Sequence, residues 1–258
     1  MTRPDTKGEN KQSRRDFLLR AGATATGFVL APGLLPGRLG ASGVSGTLQV
    51  PLRIGIIGSG NIGGAVGLKW AEAGHEILFS SRHPEELTDL VAQAGPRARA
   101  GLPAEAAAFG EVVLIAVPYA ALPQVGEDYA PLMQGKVVID CGNPYPRRDG
   151  PMAEEALAKG TGVASAEYLP GVRLVRAFNA IRNTSVEQNA HREGEKVGIP
   201  IAGDDQDALR IVSALVVDAG FDPVVVGSLA RAREFDQGSS VYVTDMTAAQ
   251  LREALGLR

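Results

Sequence analysis

The chain has 258 residues, of which 45% are hydrophobic, 21% charged and 5% aromatic. These proportions are typical of a globular protein with a sizeable core, and they exclude a disordered chain or a mini-protein. The net charge is −3. Because residues 1–40 hold more basic than acidic residues, the remainder is more acidic than this value. An acidic body without a Lys/Arg cluster argues against nucleic acid as a partner.

The sequence indicates neither metal nor disulfide chemistry. Cys141 is the sole cysteine, so an internal disulfide and a cysteine-cluster metal site are excluded. The three histidines, His75, His83 and His191, are dispersed without ligand spacing. His75 lies in a Gly-His-Glu segment, where we expect a turn and a surface side chain. We therefore predict no metal ligand and assign no catalytic residue.

The first forty residues have the pattern of an export signal. Ser-Arg-Arg-Asp-Phe-Leu at 13–18 precedes an uncharged run, Ala21 to Gly37, that is interrupted by two prolines. This run is too weakly apolar for a stable membrane span, and the segment is similar to a bacterial twin-arginine signal. The similarity implies folding in the cytoplasm, passage through the twin-arginine export machinery and a periplasmic location. We predict that the signal covers residues 1–43 and exclude it from the fold.

Strands and helices alternate through the rest of the chain. A β-branched run at Arg53–Ile57, a glycine turn, a helix ending at Gly74 and a second strand at Glu76–Ser80 form a βαβ unit. We predict further strands at 112–117, 136–140, 173–178, 197–202 and 223–226, and further helices at 84–95, 103–109, 120–133 and 206–220. Uninterrupted apolar strands between helices predict an α/β fold with a doubly wound, mostly parallel sheet of the Rossmann type. We expect a dinucleotide-binding domain over 52–227 and a small C-terminal extension over 228–258.

A Gly-x-Gly-x-x-Gly sequence directly follows the first strand and opens the first helix. Gly58 permits the tight turn, Gly60 lets the backbone approach a pyrophosphate, and Gly63 allows close packing of helix and strand. The exposed amides at the start of the helix attract the diphosphate. The sequence therefore predicts a dinucleotide site.

The end of the second strand favours NADP over NAD. The residues there are Ser80, Ser81, Arg82 and His83, whereas an NAD site usually places Asp or Glu at this point to bind the ribose hydroxyls. A cation and a hydroxyl suit a 2′-phosphate. The alternative is that Arg82 is a solvated surface charge, since two glutamates follow at 85 and 86.

Two further sets of residues follow predicted strands. Ala116, Val117 and Pro118 offer a flat apolar floor for a nicotinamide ring, or are simply the end of a core strand. Asn143 and Asn179 each come just after a strand, where either side chain could orient the nicotinamide carboxamide or a substrate carbonyl. Each is equally consistent with a turn asparagine.

Together these segments resemble the NADP-dependent reductase family of the deazaflavin coenzyme F-420. Its relatives include the N-terminal domain of pyrroline-5-carboxylate reductase and the cytosolic domain of ferric/cupric metalloreductases. The resemblance covers Arg53 to Asp236 and rests on the runs at 54–63, 74–77, 81–82, 116–118 and 201–205. It implies that the pyrophosphate is held by Ser59, Gly60, Asn61 and Ile62, that Ser81 and Arg82 bind the 2′-phosphate, and that Val117 borders the nicotinamide.

One segment departs from the family pattern. The family has Gly-Pro-Leu near the second ring, whereas this chain has Gly227, Ser228 and Leu229. The resemblance implies that Leu229, at the position of the family's leucine, is a cofactor contact. Because the segment differs from the family's, the hydride acceptor stays open between a deazaflavin, a flavin and another small molecule.

Three functions are compatible with the sequence. The first is an NADP-dependent oxidoreductase that transfers a hydride between NADPH and a small-molecule acceptor. The second is an imine or hydroxy-acid reductase of the pyrroline-5-carboxylate reductase type, which is disfavoured because such relatives have a long helical C-terminal domain. The third is a non-catalytic NADP-binding redox sensor. The oligomeric state is not specified, and a homodimer is compatible with each function.

Overall fold

Eight strands form one sheet in the computed structural model, which describes residues 50–257. The strands are β1 (Arg53–Ile57), β2 (Glu76–Ser80), β3 (Ala98–Gly101), β4 (Val112–Ile115), β5 (Val137–Asp140), β6 (Arg173–Arg176), β7 (Gly198–Gly203) and β8 (Asp222–Gly227). Their order is β3-β2-β1-β4-β5-β6-β7-β8. Strands β1 to β6 are parallel, whereas β7 pairs antiparallel with β6 and parallel with β8.

Helices connect the strands and cover the sheet. They are α1 (Asn61–Glu72), α2 (Thr88–Ala94), α3 (Pro103–Phe109), α4 (Leu122–Met133), α5 (Pro146–Asp149), α6 (Pro151–Lys159), α7 (Thr161–Tyr168), α8 (Asn183–Asn189), α9 (Gln206–Asp218) and α10 (Ala248–Ala254). Short 3-10 helices lie at Pro84–Leu87, Tyr119–Ala121 and Leu229–Glu234.

The sheet is buried on both faces, which explains its uninterrupted apolar strands. All four residues of β4 and all four of β5 are buried. Helices α1, α8 and α9 pack on one face around Trp70, whose indole N–H donates to the carbonyl oxygen of Leu215 at 2.8 Å. Helices α3, α4 and α7 pack on the other face.

The topology fixes the position of a crevice. After β1 the chain builds outward through β2 and β3, then returns to place β4 on the other side of β1. Loops at the carboxyl ends of β1 and β4 therefore diverge, and in open α/β sheets ligands bind at such a switch point.

The predicted fold class is confirmed, and most strands end within two residues of their expected bounds. β4 ends at Ile115, two residues earlier than predicted, and the helix expected at 120–133 begins as a 3-10 turn before α4. Strand β3 and helices α5 to α8 and α10 were not predicted.

The prediction of a surface His75 is wrong. The residue is 2% exposed. Nδ1 accepts a hydrogen bond from the backbone N–H of Leu52 at 3.0 Å, so Nε2 carries the proton and donates to Asp218 Oδ2 at 3.1 Å. Asp218 ends α9, far along the chain, and no local pattern around His75 could reveal it.

The C-terminal residues pack against the last two strands. Helix α10 contacts β7 and β8, and Val197 bridges to Thr247 just before that helix. Within residues 50–257, no helix has the length and apolar character needed to cross a bilayer. The predicted export signal lies outside the described residues.

Candidate functional site

A cavity of about 740 Å³ opens at the carboxyl ends of β1 and β4. The glycine turn forms one side of it, and the residues directly after β4, β5 and β6 form its floor. A second wall is formed by Tyr145, Arg148 and Arg182, which lie farther along the chain after β5 and β6, together with Tyr242 and Val243. Its lining residues are Asn61, Ile62, Ala116, Val117, Pro118, Cys141, Gly142, Asn143, Tyr145, Arg148, Phe178, Asn179, Ile181, Arg182, Asn183, Thr184, Tyr242 and Val243. Seven of the residues predicted from the sequence are therefore brought together here: Asn61, Ile62, Ala116, Val117, Pro118, Asn143 and Asn179.

The glycines of the turn fit a dinucleotide, each for a different reason. Gly58 has φ +94°, and a Cβ there would approach the carbonyl oxygen of Ala116 to 2.6 Å. A Cβ on Gly63 would overlap the carbonyl oxygen of Gly58. A Cβ on Gly60 would meet no atom within 4 Å, and its φ of −78° is open to any residue. Packing and strain explain Gly58 and Gly63, whereas close approach of a ligand best explains Gly60.

The N-terminus of α1 is suited to an anion. Gly60 is the N-cap residue, no side chain caps the helix, and no acidic residue occupies its first turn. The N–H of Gly64 is bonded to the carbonyl oxygen of Gly60. The amides before it are free of helical partners and point out of the helix end, where the dipole favours negative charge.

Ser59 ties the glycine turn to the end of β2. Its N–H donates to the carbonyl oxygen of Ser80 at 3.0 Å, and its Oγ accepts from the N–H of Ser80 at 2.8 Å. The hydroxyl of Ser80 is turned inward to the carbonyl oxygen of Ile56. Ser81 and Arg82 follow directly, so this double tie fixes them beside the turn.

Arg82 is exposed, and within residues 50–257 its guanidinium makes no ion pair or hydrogen bond. Ser81 Oγ accepts from the N–H of His83 at 3.1 Å, and the imidazole of His83 faces Glu85. The local acid thus engages His83 and leaves the Arg82 charge available to a ligand.

Asn143 and Asn179 meet at the floor of the cavity. The Asn143 side-chain N–H donates to the carbonyl oxygen of Asn179 at 2.8 Å. The Asn179 amide nitrogen faces three oxygens, on Asn143, Phe235 and Asp236, so its Oδ1 faces the other way. That oxygen is buried and has no partner among the described residues. Neither residue is a simple turn asparagine.

Four residues of the second wall were not predicted: Tyr145, Arg148, Arg182 and Tyr242. The hydroxyls of Tyr145 and Tyr242 are 2.6 Å apart. Arg148 forms an ion pair with Asp149 and lies over the Tyr145 ring. Tyr145 and Arg182 shortly follow the asparagines after β5 and β6, so position after a strand could have indicated them. No sequence signal indicated Tyr242.

A buried polar network lies beneath the floor. Arg176 bonds Asp140 Oδ2 at 2.7 Å and Asp236 Oδ1 at 3.3 Å. Asp140 also accepts from Ser165 and from the N–H of Gly142, and Asp236 accepts from Thr161. Burial opposes the charge on Arg176, but the two carboxylates outweigh it and raise its pKa. The network joins β5, β6, α7 and the C-terminal segment under the asparagines.

The thiol of Cys141 is not a nucleophile at neutral pH. Burial and, secondarily, the Asp140 charge raise its pKa to about 12. Its Sγ lies 3.3 Å from the carbonyl oxygen of Ile115, to which it donates. A protonated, buried thiol is unreactive, so Cys141 is a packing residue at the cavity wall.

Two residues of the cavity hold strained backbone. Phe178 has φ +60° and Val243 has φ +50°. Side chains larger than glycine seldom adopt this region, and a β-branched residue least of all. The N–H of Val243 donates to the carbonyl oxygen of Ala180 at 2.9 Å, and the Phe178 ring packs edge-on against Trp70. Such strain persists where surrounding contacts enforce it and is common at ligand sites.

Leu229 lies away from the cavity. It is buried in the core on the α3 and α4 face, and its N–H donates to Asp204 Oδ1 at 3.0 Å. It lines a separate surface depression with residues of α7. The placement of Leu229 beside a second ring, implied by the resemblance, is not what this structure shows. Among residues 50–257 there is also no group of three metal-ligating side chains.

The geometry can now be compared with known proteins. Residues 53–144 match the family model for NADP oxidoreductase, coenzyme F420-dependent. This match confirms the resemblance drawn from the sequence over the glycine turn, β2, the apolar floor and Asn143.

One curated relative is Metalloreductase STEAP3 from Rattus norvegicus, 29% identical over 191 residues, or 71% of this chain and 36% of that protein. The chain spans 36% and 57% of the lengths of two curated relatives it matches.

Two solved structures are similar over most of the chain. Hypothetical protein SMa0349 from Sinorhizobium meliloti has TM-score 0.66 and 24% identity, covering 77% of this chain and 96% of that one. A "putative f420 dependent nadp-reductase" from Arthrobacter has TM-score 0.61 and 21% identity, covering 80% and 96%. At these identities the likeness confirms the α/β fold.

Proposed function

We propose that the protein is an NADP(H)-dependent oxidoreductase that transfers a hydride between NADPH and a deazaflavin, a flavin or another small acceptor. One observation carries the proposal. A Cβ on Gly60 would meet no protein atom within 4 Å, and this open space lies beside the start of α1, which no side chain caps. The match of residues 53–144 to an NADP oxidoreductase family supports the same nucleotide.

Three groups of residues would bind three parts of the nucleotide. The amides of Asn61 and Ile62 would hold the pyrophosphate at the α1 N-terminus. Ser81 and Arg82, fixed by the tie between Ser59 and Ser80, would bind the 2′-phosphate. The apolar floor at Ala116, Val117 and Pro118 would support the nicotinamide.

When bound, NADPH supplies the hydride, and the protein's task is to position two rings and exclude water. Asn143 and Asn179 are held from below by the network of Arg176 and Asp236, so they present fixed polar groups at the floor. Fixed polar groups orient a carboxamide without paying for reorganisation on binding. The cavity extends past them to Tyr145 and Tyr242 of the second wall, which leaves space for the acceptor.

The experiment is anaerobic NADPH oxidation by the full chain, followed by absorbance, with FMN, FAD and a deazaflavin as separate acceptors. We expect saturable oxidation with at least one of them. Nucleotide binding without any oxidation would favour the redox-sensor alternative, and absence of binding would refute the proposal.

We also propose export through the twin-arginine machinery, which rests on Arg14 and Arg15 in the Ser-Arg-Arg-Asp-Phe-Leu segment. An NADP enzyme outside the cytoplasm would have to carry its nucleotide through export. Replacing both arginines by lysine in the native host should retain the protein in the cytoplasm. Equal periplasmic amounts of variant and wild type would contradict export by this route.

A further inference from the structure

One hydroxyl hydrogen on the second wall of the cavity has no acceptor among residues 50–257. Two phenols carry two hydroxyl hydrogens, and only one can lie between the Tyr145 and Tyr242 oxygens, which are 2.6 Å apart. Neither hydroxyl has another hydrogen-bond partner within residues 50–257. Both residues line the cavity. The second proton is therefore directed away from the pair and is available to a molecule in the cavity.

A single positive charge is available on the same wall. Of the two arginines in the lining, Arg148 is neutralised by Asp149 and also donates to the carbonyl oxygen of Asn143. Arg182 is exposed and has no ion pair or hydrogen bond within the described part of the chain. The described lining holds no Asp or Glu. In a protein of net negative charge, this cavity would attract an anion.

Arg182 lines the same cavity as the phenol pair, and its charge acts on Tyr242. Burial and the bond to Tyr145 raise the pKa of Tyr242, while the Arg182 charge acts in the opposite direction. Tyr242 is therefore a protonated donor at neutral pH, and a nearby cation can stabilise the phenolate it leaves on giving up its proton. The strained backbone at Val243, held by the bond to Ala180, fixes the residue next to it.

We propose that the Tyr145–Tyr242 pair donates the proton of the reaction and that Arg182 binds an anionic group of the acceptor. The proposal deepens the proposed function and rests on it. It requires an acceptor that carries an anionic group and a conjugated oxygen or nitrogen. A small oxo acid and a phosphate-bearing flavin both have this chemistry.

The step balances without a further reagent. The acceptor gains a C–H or N–H bond from the hydride, and its displaced π electron pair moves to the conjugated oxygen or nitrogen. The phenol O–H bond breaks as that atom takes the proton. The nucleotide is oxidised by two electrons, the acceptor is reduced by two, and the phenolate regains a proton from solvent through the partner hydroxyl.

The first test measures binding and does not need turnover. The full chain, saturated with NADP⁺, is titrated by calorimetry with oxamate, an unreactive analogue of an oxo acid, and separately with FMN. We expect at least one probe to bind, and Arg182→Gln to weaken it by about tenfold or more. Arg210→Gln, an exposed arginine on α9, is the matched control and should leave binding unchanged. Binding of oxamate identifies the oxo-acid class, and binding of FMN the flavin class.

The second test addresses the phenols with Tyr145→Phe, Tyr242→Phe and, as control, Tyr129→Phe, a partly buried α4 tyrosine outside the cavity. Each of the first two should weaken the bound probe several-fold while NADP⁺ affinity and the unfolding midpoint stay unchanged. With an acceptor that the enzyme reduces, at least one of these two variants should lower kcat by about 10²–10⁴-fold and alter the solvent isotope effect.

Two results would overturn the proposal. One is the failure of both probes to bind the NADP⁺ complex. The other is equal probe affinity in wild type, Arg182→Gln and the two phenylalanine variants. Failure of NADP⁺ itself to bind would instead refute the proposed function, and the same titration detects it.

Discussion

The guanidinium of Arg176 and the carboxylate of Asp140 form a fully buried ion pair, with Nη1 and Oδ2 2.7 Å apart and exposures of 0% and 1%. The pair crosses from β6 to β5 directly below the cavity floor. Gly142 donates its N–H to the same carboxylate, so the pair also fixes the start of the loop that carries Asn143.

Arg176→Met should lower the free energy of unfolding by about 3–5 kcal/mol, because it leaves Asp140 and Asp236 buried without their cation. Denaturant unfolding of the full chain measures this. The control is Arg210→Met, which breaks the exposed pair with Asp207 and should barely move the midpoint. Equal losses of unfolding free energy in the two variants would show that the buried pair stabilises the fold no more than the exposed pair does.

Gly60→Ala and Gly63→Ala should separate ligand approach from packing. The protein has room for a methyl at Gly60, so this variant should keep its unfolding midpoint but bind NADPH about tenfold more weakly or worse. A methyl at Gly63 overlaps Gly58, so this variant should lose about 1–3 kcal/mol of stability. Nucleotide titration and thermal unfolding of both variants test the contrast. Undiminished NADPH binding by Gly60→Ala would remove the main support for the pyrophosphate position.

Arg82→Glu should weaken NADPH binding by about 1.5–3 kcal/mol and leave NADH nearly unaffected, because the guanidinium would contact only the 2′-phosphate. The same charge reversal at Arg252 on α10 is the control for the change in net charge. Competition titrations with both nucleotides report the effect. Equal losses for NADPH and NADH would show that Arg82 does not select between them.

Asp205 should make folding sensitive to acid. Its bond with Arg173, together with the N–H of Ala208 at the start of α9, lowers its pKa to about 2. The folded protein therefore holds this carboxylate charged more firmly than the unfolded chain does. The resulting stability is present above pH about 4, where the unfolded carboxylate ionises, and is lost as the pH falls toward 2.

Asp205→Asn keeps an N-cap side chain but removes this titration. Its unfolding free energy should therefore depend less on pH between about 4 and 2 than that of the wild type. Unfolding curves across this range test the point. Parallel pH profiles would mean that the Arg173 pair contributes no acid dependence.

The fold was largely predictable because its signals are local. Apolar runs such as Val112–Ile115 and the glycine turn are contiguous in sequence, and the alternation of strands and helices indicates a mostly parallel sheet. Strand β3 was missed because Ala98–Gly101 is a short edge strand with an exposed arginine and little apolar character. Helices α5 and α6 were missed because Pro146 and Pro151 occupy their first positions, and prolines are as typical of turns as of helix starts.

The site was only half predictable for a related reason. Residues that contact the nucleotide in the proposal lie in short contiguous motifs, such as Ser81 with Arg82. The wall for the acceptor pairs Tyr145 with Tyr242 across 97 positions. Such pairings depend on where the C-terminal segment packs, which local spacing does not specify. The hydrogen bond between His75 and Asp218 could not be predicted for the same reason, since the two residues are far apart in sequence.

The most direct test of the account is a calorimetric titration of the full chain with NADPH and with NADH under identical conditions. The account predicts saturable binding of NADPH at one site per chain, tighter than NADH by about tenfold or more. Absence of binding heat with NADPH, or a preference for NADH, would contradict it.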